Sequence, residues 1–229
     1  MTGELEPPPA PSLRDHVRTG IDVAVAAIPG VGGPLQVLLD AVLLPSLDKR
    51  RNAWLMKLQE LVNELSEKVD GFDVETLVHD EPFVTAVIDA SRIAMGTHLE
   101  AKLNLLKNCL AHMAVDDPRD DFLDLKFFAY VDELAPEHFV VLQYGQNPGA
   151  WFDAKHLSRP SFHTSGHRHL IDRARLPVTG PALEIVLRDL SDRGLADTRG
   201  FNATVSAQTV WAGWSTPLGD QLLDFISEI

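Results

Sequence analysis

Residues 21–69 decide what this chain can build. The stretch opens with Ile21-Asp-Val-Ala-Val-Ala-Ala-Ile28, turns at Pro29-Gly-Val-Gly-Gly-Pro34, and leaves through Leu35 on a second apolar run that reaches Val69. Two prolines and three glycines in six residues end any regular element there. A membrane-spanning helix needs about 20 mostly apolar residues. Asp22, Gln36 and Asp40 interrupt this stretch and the turn halves it, so each arm covers about half a bilayer. Gln36 and Asp40 stand i,i+4 and share one line on a helix. The residues therefore predict an amphipathic helical hairpin packed in a bundle. The alternative is a membrane-disrupting hairpin, residues 20–46, that inserts when triggered.

Pro45 divides the outgoing arm, because it lacks an N–H and pushes Leu44 away from the helical region. This predicts either two helices, 35–44 and 47–69, or one kinked helix. The second piece carries Leu47, Trp54, Leu58, Leu61, Leu65 and Val69 on one face, with Lys49, Arg50, Lys57, Glu60, Glu64 and Lys68 opposite. Gly71 then suits a left-handed C-terminal cap. Asp73 caps a short helix, and Asp80-Glu81-Pro82 opens a long one. Its stripe of Val84, Val87, Ile88, Met95, Leu99, Leu103, Leu106, Leu110 and Met113 extends it to residue 113, with a kink or close contact at Gly96. Two long helices, 46–69 and 80–113, are expected to pack as antiparallel neighbours.

Ala114-Val-Asp-Asp-Pro-Arg-Asp-Asp121 is the candidate boundary. Beyond it a helix spans 122–134, with Phe122, Leu125 and Phe128 among its inward residues and Asp120 and Asp121 at its N-terminus. Pro136 opens another helix, which Gly145–Pro148 ends, and 149–178 read as irregular. Pro181–Gly194 is a helix with Leu183, Val186, Leu187 and Leu190 inward. Short strands at 195–198 and 204–210 form a hairpin, and a last helix follows Ser215-Thr-Pro-Leu-Gly. The fold class is thus mainly α. An extended tail (1–10) precedes an antiparallel helical bundle (11–117) and a winged-helix-like domain (118–229) containing a small β-hairpin.

The segments Glu81-Pro-Phe-Val84, Leu103 to Leu110, Val131-Asp-Glu-Leu-Ala-Pro-Glu-His-Phe-Val-Val-Leu142, Leu187-Arg-Asp-Leu-Ser-Asp-Arg-Gly-Leu195 and Ser215-Thr-Pro-Leu-Gly219 occur in an order that resembles the Abi-alpha (abortive-infection alpha) family. The resemblance spans residues 46–229. It implies a bacterial, cytoplasmic, non-enzymatic protein of phage defence, and it supplies no catalytic residues.

Charge and motifs point the same way. The net charge of −13 repels phosphate backbones and anionic headgroups. Residues 1–117 carry 10 basic and 18 acidic side chains and residues 118–229 carry 10 and 15, so no basic domain is concealed. The single Cys109, in a helical apolar pattern, reads as a buried inert thiol. The N-terminus lacks the basic start and apolar core of a signal peptide, which makes the cytoplasm the expected location.

A winged helix invites a DNA-binding reading. Its recognition helix, however, offers Arg188 and Arg193, with Arg199 at a wing, against Glu184, Asp189 and Asp192. These three arginines are the candidate interaction surface, for a protein partner or a second copy rather than nucleic acid. An acidic transcriptional regulator is the remaining alternative. His163 and His167 stand i,i+4 with His169 nearby, but Ser165-Gly166 lies between them and no Cys is close. The cluster reads as a polar loop, and no metal or cofactor is assigned. His112 and His138 fall in helical patterns as structural histidines. The carboxylate pairs Asp116-Asp117, Asp120-Asp121 and Asp132-Glu133 read as helix ends. No nucleophile elbow or phosphate loop occurs, so no enzyme is expected.

Overall fold

The helix starts follow the capping side chains. A computed structural model describes residues 44–115, 120–161, 164–199, 201 and 203–229. Among these the chain is mainly α-helical, with eleven helices and two strands of two residues each. It divides into two units, Met1–Leu55 and Met56–Ile229. Of the first, the described part is the start of α1 (Leu44–Lys68), where Trp54 is buried. Pro45 stands in the first described turn of α1, and residues 20–43 of the expected 20–46 hairpin lie outside the described residues. Among the described residues no helix is long and apolar enough to cross a membrane.

In the second unit, Leu61 and Leu65 of α1 are buried, as the stripe predicts. Gly71 takes the expected left-handed conformation, φ 75°. Asp73 caps α2 (Val74–Leu77) and Asp80 caps α3 (Glu81–Gly96), which carries its Pro in the first turn. The single helix expected to reach Met113 is in fact two, α3 and α4 (Glu100–Val115). Gly96, Thr97 and His98 are consecutive poor helix formers. Thr97 goes extended, and its hydroxyl accepts the Leu99 N–H at 3.1 Å.

The phase of α3 also differs from the expected stripe. Ile88 is 64% exposed, and the buried face is Ala86, Ala90, Ile93 and Ala94. Small side chains let α3 pack closely on α4 and α5. The long helices α1 and α4 are not the antiparallel neighbours expected. Lys57–Glu100 (3.9 Å) and Lys107–Glu64 (2.6 Å) join α1 to α4 at the same sequence offset of 43. A constant offset requires α1 and α4 to run parallel, the break at 97–99 having turned the chain.

Asp120 accepts the Phe122 and Leu123 N–H groups and starts α5 (Asp121–Glu133). Phe122 (72%) and Leu125 (55%), expected inward, are exposed, whereas Phe128 is buried as expected, together with Phe127, Tyr130 and Val131. α4 and α5, on the two sides of the acidic stretch 114–121, pack together within the same unit. Pro136 opens α6 (Pro136–Gln146) and Pro148 opens α7 (Pro148–Ala154). Residues 149–178, read as irregular, thus contain most of α7, as well as β1 (Thr164–Ser165) and α8 (His167–Ile171).

The last third follows the sequence more closely. α9 (Gly180–Asp192) buries Leu183, Val186, Leu187 and Leu190, and Gly194 stops it at φ 70°. The expected pairing of 195–198 with 204–210 does not form. β2 (Val205–Ser206) pairs antiparallel with β1, and α10 (Ala207–Val210) follows at once. Ala196 bridges Ser215 instead, with Asp197 N–H donating to Trp214 O (2.8 Å) and Thr216 N–H to Leu195 O (3.0 Å). Ser206 accepts the Thr209 N–H, a cap that converts the rest of the expected strand into a helical turn. Thr216 caps α11 (Pro217–Phe225). The Phe225 ring lies 5.3 Å from Phe127, and Asn108 donates to Ile226 O at 2.8 Å, seating this last helix against α4 and α5.

Candidate interaction surfaces

The exposed side of α9 carries Glu184, Ile185 and Arg188. Arg188 makes no ion pair among the described residues. It borders a depression of 250 Å³ with Arg168, Glu184, Ser191 and Thr198, over Phe201. Arg168 meets Glu184 with both guanidinium nitrogens, a two-pronged carboxylate pair. Arg193 is the C-cap residue of α9 and faces partly inward, with only 27% of its side chain exposed. It reaches Glu133 at 3.1 Å and the Asp189 carbonyl at 3.1 Å, tying α9 to the end of α5.

Arg199 is exposed and holds Asp197 at 2.9 and 2.7 Å. Hydrogen bonds from the Arg199 side chain and backbone pull the Asp197 carboxyl down to about 2, and the same pair raises Arg199 further. Of the three arginines predicted from sequence, only Arg188 borders the α9 depression. The others are spent on neighbouring carboxylates, and the face is close to electrically balanced.

The histidines separate. His163 lies outside the described residues, and His169 is exposed. His167 stacks on Phe201 (5.0 Å, 22°), and burial lowers its pKa. Among the described residues no group of three His, Cys, Asp or Glu side chains could hold a metal ion. His138 is buried between Ala135 O and Asp189 Oδ2, each at 3.2 Å, a structural histidine joining α6 to α9. Cys109 is fully buried, and burial pushes its thiol far above the usual range. Asp132 and Glu133 pair with Arg92 and Arg193, and Asp120 is a cap. Asp116 and Asp117 lie outside the described residues.

A second surface escaped the sequence reading. A groove of 340 Å³ runs between α4 and α6 beside the end of α11. Ala101 and Leu105 of α4 form one wall, one turn apart. Phe139, Val140 and Gln143 of α6 form the other, and Leu223 and Asp224 of α11 close the end. A neighbouring hollow of 350 Å³ shares Gln143 and Gln146 and continues to Trp151 of α7. The available signal was the run Phe139-Val-Val-Leu-Gln-Tyr144, apolar on every side of its helix apart from Gln143, which leaves apolar surface over after the core is filled. No protein-family model, curated protein or solved structure matches this chain.

Proposed function

We propose that this chain is a non-enzymatic protein that works through protein–protein contacts, in antiphage defence of the abortive-infection kind. The observation that carries the reading is the state of the α9 face. Arg168, Arg193 and Arg199 each already hold a carboxylate, which leaves little free cation to displace counterions from a phosphate backbone. In this reading residues 118–229 are a winged-helix-like module turned to protein contact. α9 is its presenting helix, and the Ala196–Ser215 bridge stands where the base of a wing would be. The resemblance to the Abi-alpha family over residues 46–229 supplies the defence setting and a place in the bacterial cytoplasm.

The test has two arms. Expression in a bacterial host challenged with a panel of phages is expected to lower plating for at least one of them. Unchanged plating across the panel overturns the defence reading. A salt titration of binding to random and genomic duplex DNA is expected to show only weak, non-selective association. Sequence-selective binding at sub-micromolar strength, lost with Arg188→Glu, replaces this reading with that of an acidic transcriptional regulator.

A further inference from the structure

We infer that the groove between α4 and α6 receives a cationic amphipathic helix from a partner protein. The inference rests on the protein-contact reading above and names its site and the chemistry of its partner. Ala101 and Leu105 stand i,i+4 on α4, and Phe139, Val140 and Gln143 follow helical spacing on α6. Two helical ridges bordering one apolar trough form the receiving half of a helix-in-groove contact. The trough holds 340 Å³, room for a few apolar side chains one turn apart on an incoming helix.

Charge selects among occupants. Among the described residues Asp224 is the one charged residue lining the trough, and no Lys or Arg lines it. The nearest lysine in sequence, Lys102, is tied to the Asp132 carbonyl on α5. Charge disfavours a second copy of this chain, which brings the same net −13. A helix with leucines at i and i+4 and Lys or Arg beside them meets both the apolar walls and the Asp224 carboxylate. Gln143 and Gln146 are both exposed, their side chains make no hydrogen bond among the described residues, and they offer amides to its polar edge.

The test uses the full chain and three synthetic peptides of about four helical turns. One has a leucine stripe flanked by lysines, one has the same stripe flanked by glutamates, and one has the first composition scrambled so that no stripe forms. Fluorescence anisotropy is expected to show the lysine-flanked peptide binding at least about tenfold more tightly than either control. Ala101→Arg, at an exposed position that leaves the core alone, is expected to abolish that preference with an unchanged melting temperature. Asp224→Lys is expected to shift the preference toward the glutamate-flanked peptide.

Equal binding of the striped and scrambled lysine peptides means bulk charge attraction and overturns the proposal, as does a preference that survives Ala101→Arg. Concentration-dependent dimerisation abolished by Ala101→Arg also overturns it, by assigning the groove to a second copy. Any of these results, alongside phage protection that persists in the Ala101→Arg variant, leaves the protein-contact reading standing and removes only this groove from it.

Discussion

Gly219→Ala is the sharpest perturbation the structure offers. Gly219 is buried in the first turn of α11, where its N–H meets the Thr216 hydroxyl at 3.1 Å. A Cβ at this position would lie 2.2 Å from the Leu195 carbonyl oxygen and 3.3 Å from Leu142 Cδ1, and ordinary contact starts at 3.4 Å. The carbonyl cannot yield cheaply. It accepts the Thr216 N–H at 3.0 Å and adjoins the Ala196–Ser215 bridge.

Forcing a group into a packed site costs about 1–3 kcal/mol, and loss of the Leu195–Thr216 hydrogen bond adds about 1. Alanine returns about 1 kcal/mol of helix propensity. The net is a loss of about 2 kcal/mol, or roughly 4–8 °C in melting temperature for a protein of this size. Gly96→Ala is the matched control. A Cβ there meets nothing within 4 Å, so the same substitution is expected to be neutral or to stabilise by up to about 1 kcal/mol. Urea titrations followed by far-UV circular dichroism measure both. If Gly219→Ala is as stable as the parent, α11 does not rest on Leu195 and the described seating of that helix is wrong.

Leu61→Ala and Leu106→Ala, at positions 2% and 0% exposed, should each cost about 2–5 kcal/mol by denaturant titration. Arg193→Glu sets a carboxylate beside Glu133 and Asp189 and should cost about 1 kcal/mol, whereas Arg188→Glu should shift stability by less than about 0.5 in the same assay. Burial lowers the His167 pKa, so the unfolded chain gains its proton first as the pH falls. Stability should therefore drop on acidification through about 6.5 and level off below the lowered folded value, a slope that His167→Phe should flatten in pH-dependent melting. Cys109 should resist a thiol-reactive dye in the native protein and react promptly in denaturant.

The sequence announced helix ends better than helix faces. Asp73, Asp80, Asp120, Gly71 and Gly194 sit where their short-range chemistry places them, because a cap depends on neighbours within a few residues. The face of α3 and the first turn of α5 are hard to read because hydropathy weights Ile88, Phe122 and Leu125 above alanine, whereas Phe128 is buried as its spacing predicts. The packing of α3 instead favours the Ala86, Ala90 and Ala94 side, where helices approach closely. Strand partners were illegible for another reason. Val205 and Ser206 alternate as a strand should, but nothing in that alternation names Thr164 and Ser165 across 40 residues of chain. At the interaction surface the arginines were visible and their carboxylate partners were not. Glu133 is 60 residues from Arg193 in sequence, and only the folded chain brings them together.

The seating of the C-terminal segment has a consequence for synthesis. The Trp214 and Ser215 N–H groups both donate to the Gly145 carbonyl, Asn108 donates to Ile226 O, and Lys68 donates to Ile229 O. Helices translated much earlier thus wait on partners that leave the ribosome last within this unit. Until residues 214–229 emerge, the apolar sides of α4, α5 and α6 that they cover stay open to solvent and to chaperones. The unit should therefore acquire protease resistance abruptly near the end of its translation rather than helix by helix.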